Sequence, residues 1–269
     1  MSLDRVTPDT LLKMKQAGEP IVALTAYDWP TAGVEQAAGV DLILVGDSMG
    51  TVVLGEQTTL KVTMDVMIAH CAAVARAEGR ALLVGDMPFL SATVSVEEAV
   101  RNAGRFVAEG NMHAVKVEGG EAMAATIEAI VRAGIPVLGH VGYTPQQTLK
   151  FGRKVVRGRG EEAAAILRDA EAVEQAGAFA VVLECIPLEL AKQVTGRLSV
   201  PTIGIGSGPH CDGQVLVVHD MLGLFDKPLK HVKQYADLKA EMRAAVERYA
   251  ADVRSRAFPD EAHSFHDTK

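Results

Sequence analysis

Eight short apolar runs, each ending in glycine or polar residues, constrain this chain of 269 residues more than any other feature. They cover residues 21–28, 41–48, 81–88, 114–119, 135–142, 178–187, 200–208 and 214–220. The runs are rich in Val, Ile and Leu and are continuous rather than alternating, as in strands buried on both faces. Between them the pattern predicts helices over 64–78, 96–109, 121–133 and 161–176, stopped at Gly79, Gly110, Gly134 and Gly177. Glycine readily takes the left-handed conformation that ends a helix. Strands alternating with helices at these lengths imply βαβ units and a parallel sheet. Eight such strands favour an α/β fold closed as a (β/α)8 TIM barrel over an open doubly wound sheet.

Three pieces exceed the minimal repeat. Residues 7–18 predict a helix ahead of the first strand, placed to close the bottom of the barrel. Residues 49–62 and 142–160 are long loops, a length that in compact domains is usually functional. Residues 232–257 read as a long helix and 258–269 as a polar tail, so the expected organisation is one barrel domain over 1–257.

The overall charge excludes some partners. Lys plus Arg is 27 and Asp plus Glu is 34, a net charge of −7. Nucleic-acid binders usually carry a basic excess, so no nucleic-acid partner is expected. Cys71, Cys185 and Cys211 are odd in number and widely spaced, which suits a reducing compartment. The opening residues show no signal-peptide pattern, and no apolar stretch reaches the ~18 residues of a membrane span. The expectation is a cytoplasmic protein with no membrane partner.

In a barrel of this kind the active site lies at the C-terminal ends of the strands. The runs place Asp47 and Ser48, Asp86, Lys116 and Glu118, His140, and Glu184 at or near those ends. An isolated Asp there is more often a turn former or helix cap. Asp28 fits that reading because Pro30 follows it, and Asp41 lies at the wrong end of its strand. Lys116 and Glu118 differ, because positions i and i+2 of a strand share one side and both point inward. Asp47, Asp86 and Glu118 are hard oxygen donors of the kind Mg²⁺ takes. Zinc fits poorly, because His140 is the one histidine of the set and Cys185 faces away from Glu184. Such a centre chelates a 2-oxo acid and stabilises its enolate. Lys116 adds positive charge beside it, and Glu184 serves as the general base.

The same residues lie in stretches that resemble the ketopantoate hydroxymethyltransferase family. These are TAYDWPTA (25–32), VGDSMGTVVLG (45–55), VTMDVMIAH (62–70), GDMPF (85–89), AVKVEGG (114–120), IPVLGHVGYTPQ (135–146), VLECIP (182–187) and PTIGIGSGPHCDGQVLVVHDMLG (201–223). The resemblance implies a phosphoenolpyruvate-mutase-like barrel that uses Mg²⁺ and assembles as a homodecamer. It implies transfer of a one-carbon unit from 5,10-methylenetetrahydrofolate to 3-methyl-2-oxobutanoate, giving 2-dehydropantoate for pantothenate and coenzyme A synthesis. The partners are then small molecules, a 2-oxo acid and a folate. By the same resemblance Asp47, Asp86 and Glu118 are metal ligands. Asp47, Ser48, Asp86 and Lys116 contact the keto acid, Glu184 accepts the proton, and His140 shares the pocket. Tyr143, Arg157 and Ser207 stand where the family pattern leads us to expect an aliphatic residue, Gln and Ala. The alternatives are a metal-dependent lyase or phosphonomutase on the same barrel, and a barrel kept as a binding protein. Lyases of that type carry a cysteine on a mobile loop, and 49–62 and 142–160 contain none.

Overall fold

The computed structural model describes residues 5–152 and 155–267. The opening residues 1–4, residues 153 and 154 of the long second loop, and residues 268 and 269 of the tail lie outside the described residues. In chain order the elements are α1 (Pro8–Ala17), β1 (Ile21–Thr25), α2 (Trp29–Ala37), β2 (Leu42–Val45), α3 (Met49–Val52), α4 (Met64–Ala75), β3 (Leu82–Asp86), α5 (Val96–Ala108), β4 (Ala114–Glu118), α6 (Ala124–Arg132), β5 (Val137–Gly142), α7 (Thr148–Phe151), α8 (Glu162–Gln175), β6 (Ala180–Glu184), α9 (Leu188–Arg197), β7 (Thr202–Ile205), β8 (Gly213–Leu216), α10 (Val218–Met221) and α11 (Leu238–Ser255). All eight expected strands are present, paired in chain order and closed by β8 on β1. Every pairing is parallel.

The inward column of each strand changes character along its length. At the lower end it is apolar, with Ile21, Ala23, Leu42, Leu44, Leu82, Val84, Ala114, Leu138, Ala180, Val182, Ile203 and Val215 in one buried cluster. Val6 and Leu11 join this cluster, and Met14 packs on it. The N-terminal helix therefore plugs the bottom of the barrel as expected. Lys15 of that helix donates to Asp212 Oδ2 at 3.0 Å and to the carbonyl oxygens of Thr195 and Val200. Asp212 Oδ2 also accepts from the backbone N–H of Thr202 at 2.8 Å. This bottom clasp holds a departure from the ideal repeat. Residues 206–212 join β7 to β8 with no helix, fewer than the dozen or so residues a parallel crossover usually needs.

Five helices lie where the hydrophobic pattern predicted none: α2 and α9, the four-residue α3 and α7 inside the long loops 49–62 and 142–160, and α10 at the end of the run 214–220. α2 is started by Asp28, whose side chain accepts from Thr31 N at 2.8 Å with Pro30 in the first turn. Asp28 is thus a cap, and Asp41 is structural too, accepting from Val22 N at 3.0 Å. α9 buries Leu190, Ala191 and Val194 alone, a faint periodic signal. The glycine stops divide into two kinds. Gly134 and Gly177 take positive φ as expected, whereas Gly79 and Gly110 do not. A Cβ at Gly79 would collide with the Gln36 side chain. Gln36 Oε1 is needed there to accept from Ala81 N at 2.9 Å, just ahead of β3. After α5 the left-handed residue is Asn111, at φ 53°.

The chain divides into compact units after Val218, whereas the sequence reading draws its boundary at 257. The second unit contains α11, none of whose residues is buried. A helical period shows that a helix has an apolar side but not which surface that side covers. Residues 258–267 are exposed, with one turn, Glu261–His263, capped by Asp260.

Glu35 of α2 is buried, and neither carboxyl oxygen has a hydrogen-bond partner among the described residues. Burial, with a smaller effect from the Asp28 charge, pushes its carboxyl up to about 8. An unfolded-chain glutamate ionises near 4.3. The folded form therefore keeps its proton where the unfolded chain loses one, and stability falls as pH rises from that value toward 8. Glu35→Gln should be nearly neutral at pH 4.5 and stabilising by about 2–4 kcal/mol at pH 8. Urea unfolding at the two pH values measures the difference, and an equal effect at both would refute it.

Candidate active site

The apolar inward columns end in ionisable groups. On β4 the sequence Ala114, Lys116, Glu118 runs up one side while Val115 and Val117 face the helices. Strand register then sets the neighbours. Asp86 pairs with Lys116 across β3 and β4, and Glu118 with His140 across β4 and β5. Glu184 pairs with Gly142 at the last position of β6. Asp47 and Ser48 follow β2 and lead into α3. The structure thus gathers six of the seven expected side chains in one cluster. Ser48 stands at its edge, where its Oγ shares a 2.8 Å hydrogen bond with Tyr27 OH. Gly46 makes that placement possible, since a Cβ there would lie 2.8 Å from Ser48 Oγ.

Lys116 is the hub. Its Nζ lies 2.7 Å from Asp86 Oδ1, 3.5 Å from Glu118 Oε1 and 3.3 Å from His140 Nδ1. Burial alone would favour the neutral amine. Asp86, Glu118 and Asp47 more than reverse that, and the ammonium is held well above its usual range. His140 goes the other way: burial, then the Lys116 charge, push it well below its usual value, so the ring is neutral. An ammonium can only donate, so His140 Nδ1 accepts from Lys116 and the ring proton sits on Nε2. That Nε2 lies 3.3 Å from Glu184 Oε2, within ion-pair distance, but makes no well-angled hydrogen bond among the described residues. A polar chain therefore runs from Asp86 through Lys116 and His140 to Glu184.

The carboxylates outnumber the cations. Burial, then Asp86 and Glu118, raise the Asp47 carboxyl well above the usual range. Burial brings Glu118 up to about 7 despite Lys116. Asp47, Asp86 and Glu118 face one ammonium and a neutral imidazole, which leaves surplus negative charge in a buried place. Asp86 Oδ1 has the ammonium as an ion partner but no well-angled hydrogen bond. Hard oxygen donors with surplus negative charge suit a hard divalent cation. Among the described residues, however, no three His, Cys, Asp or Glu side chains stand at metal-holding distances. Each neighbouring pair is instead bridged. Lys116 lies between Asp86 and Glu118, Asp47 N donates to Asp86 Oδ2 at 3.0 Å, and Gln146 links Asp47 to Glu118. The donor chemistry fits the cation, and the spacing is that of a bridged carboxylate cluster.

Gln146 and Tyr27 are the participants that a search for ionisable strand ends passes over, since neither is charged. The available signal was the length of loop 142–160, which carries Gln146. The positions that depart from the family pattern have structural partners. Ser207 Oγ donates to Leu183 O at 2.7 Å and accepts from Ile186 N at 3.3 Å, bracing the end of β6 beside Glu184. The Arg157 guanidinium lies 3.7 Å from the Phe151 ring centroid and pairs with Glu162. A cavity of about 670 Å³ lined by Arg5, Gln36, Glu78, Asn111 and His113 lies by the starts of β3 and β4 and touches none of the cluster.

The profile of ketopantoate hydroxymethyltransferase matches residues 5–261. The 3-methyl-2-oxobutanoate hydroxymethyltransferase of Moorella thermoacetica is 55% identical over 263 residues, 97% of this chain and 98% of its own. That of Pelobacter propionicus is 55% identical over 262 residues, covering 97% of each chain. Among solved structures, phosphonopyruvate hydrolase in complex with oxalate and Mg²⁺ superposes with a TM-score of 0.63 at 16% identity, covering 95% of this chain and 92% of its own. 2,3-Dimethylmalate lyase, of the PEP mutase/isocitrate lyase superfamily, gives 0.63 at 18% identity, covering 91% and 87%. These two show the fold.

Removing the hub strands the carboxylates. Lys116→Met should lower stability by about 3–5 kcal/mol near neutral pH, as breaking a buried ion pair usually does. Urea denaturation of the purified variant checks this, and a loss below 1 kcal/mol would contradict the assignment of Lys116 as counter-charge.

Proposed function

The chain belongs to the ketopantoate hydroxymethyltransferase family, and on that footing we propose that it transfers a one-carbon unit from 5,10-methylenetetrahydrofolate to 3-methyl-2-oxobutanoate, giving 2-dehydropantoate. Its relatives carry the hydroxymethyltransferase activity in their names, so the class of enzyme, a transferase, is that of the family. The observation that carries the finer reading is the placement of Glu184. Its side chain is 18% exposed, while those of Asp86, Glu118, Lys116 and His140 are at most 5%. Glu184 is the carboxylate of the cluster that an incoming substrate reaches.

Asp47, Asp86 and Glu118 would hold Mg²⁺. When bound, the cation supplies Lewis-acid polarisation of the keto and carboxylate oxygens of the 2-oxo acid. Glu184 takes the proton from C3, and the electron pair of that C–H bond moves toward the keto oxygen. Lys116 is the permanent positive charge beside the negative charge that develops there. His140, whose Nε2 lies 3.3 Å from Glu184 Oε2, is the polar group standing beside that carboxylate. C3 then bonds to the methylene carbon after one of its two C–N bonds to the folate has opened; the second C–N bond breaks when water attacks, and the folate nitrogens take up the proton held by Glu184 and one from that water. Water supplies the hydroxyl of the product, and tetrahydrofolate leaves. Ser48, steadied by Tyr27, and Asp47 and Asp86 line the keto-acid side.

Both substrates are anions approaching a cluster with surplus negative charge, so cation loading precedes or accompanies keto-acid binding. The phosphonopyruvate hydrolase complex of the same fold joins oxalate and Mg²⁺, and for this chain the cation reading rests on its three carboxylates. The proposal extends to a cytoplasmic homo-oligomer, a decamer by family resemblance, with small molecules and no membrane or nucleic acid as partners. No described helix is long and apolar enough to cross a membrane. An apolar stripe on α11, with Met242, Val246, Tyr249 and Val253 all exposed, supports assembly. α4 buries Met67, Ile68, Cys71 and Val74 within the chain.

Deuterium exchange at C3 of the keto acid, without folate, isolates the proton step. Glu184→Gln should slow it by about 10²–10⁴-fold, and exchange at the wild-type rate would remove Glu184 as the base. Chelation should abolish both exchange and keto-acid binding, and Mg²⁺ should restore them. Tight keto-acid binding in chelator would refute the cation requirement.

A further inference from the structure

Gln146 lies on no strand, yet it ties together three strand ends. It belongs to the single turn Pro145–Gln147 after β5. Its backbone N–H donates to Glu118 Oε2 at 3.1 Å. Its side-chain Nε2 donates to Asp47 Oδ2 at 3.0 Å and to Met87 O at 2.9 Å. An amide NH₂ carries two protons, and both are used, one on the carboxylate beyond β2 and one on the chain beyond β3.

This matters because the last torsion of Asp and Glu is broad and nearly two-fold. A carboxylate without a fixed donor presents either oxygen over a range of angles. A hydrogen bond to one oxygen settles which oxygen is left for another partner. Gln146 does this for Asp47 and Glu118 together, from the loop after β5. We propose that Gln146 is a positioning residue: it orients the Asp47 and Glu118 carboxylates for the divalent cation and so couples the conformation of the loop after β5 to loading of the site. The inference rests on the cation reading given above. Outer partners that orient metal-ligating groups are typically worth 10–100-fold in metal affinity or activity.

Gln146→Met tests it, since methionine keeps a side chain of similar length and the backbone N–H to Glu118 while removing the amide, and with it the Nε2 bonds to Asp47 and Met87. Titration calorimetry of chelator-stripped protein with Mg²⁺ reads the effect directly. The expected result is Mg²⁺ affinity weakened by about 10–100-fold, with deuterium exchange at C3 recovering as Mg²⁺ is raised. Gln146→Asn, which keeps an amide on a shorter arm, should fall between wild type and the Met variant, and serves if the Met variant does not fold. Wild-type protein that binds no Mg²⁺ would overturn the cation reading and this inference with it. Wild-type binding with equal or tighter binding by the variants would overturn the positioning role alone. Weakened binding that high Mg²⁺ does not rescue would also overturn it, pointing to general damage.

Discussion

A single buried ammonium organises the top of this barrel. Lys116 stands among Asp86, Glu118 and His140 with almost no access to solvent. A charge in such a place is tolerable only with partners at close range, and the carboxylates are tolerable only because of it. Each group's state depends on the rest. Burial and then the ammonium hold His140 neutral, the neutral ring has its proton on Nε2, and Nε2 lies 3.3 Å from Glu184. Moving one member would change the protonation of the others before any substrate arrived.

The lower half of the barrel makes this arrangement affordable. Apolar side chains fill the inward column from below, and α1 plugs the opening through Val6, Leu11 and Met14. The polar side chains at the top therefore rest on a packed layer that excludes water. The Lys15–Asp212 clasp keeps the short β7–β8 connection tied to that base. Rigid strands position the charges, while the loop after β5 supplies Gln146, which donates to both the Asp47 and the Glu118 carboxylates. The same division of labour favours Glu184 as the proposed base: it stands at the rim, 3.3 Å from His140 Nε2, and is exposed enough to meet substrate.

Most of the fold was legible because its signals are local. Continuous Val, Ile and Leu runs specify buried parallel strands, and a period of two along β4 puts Lys116 and Glu118 on one side without reference to anything else. Asp28 is readable as a cap from Pro30 alone. Less was legible where packing, not pattern, decides. Gly79 is glycine because Gln36 needs the space, not because a helix must turn left-handed there. α9 shows too narrow an apolar face to announce itself, and α11 shows an apolar stripe without showing what meets it.

By itself the sequence determined which chemical groups stand at the strand ends and in what order, because strand periodicity and strand termini are written in neighbouring residues. Only the tertiary structure decided which of them touch. Register pairs Asp86 with Lys116 and Glu118 with His140, residues 30 and 22 positions apart, and no local pattern encodes an inter-strand offset. The same holds for Gln146 and Asp47, 99 positions apart and joined at 3.0 Å. An uncharged amide on a loop becomes part of the site only when closure of the barrel brings β2, β4 and β5 around one axis.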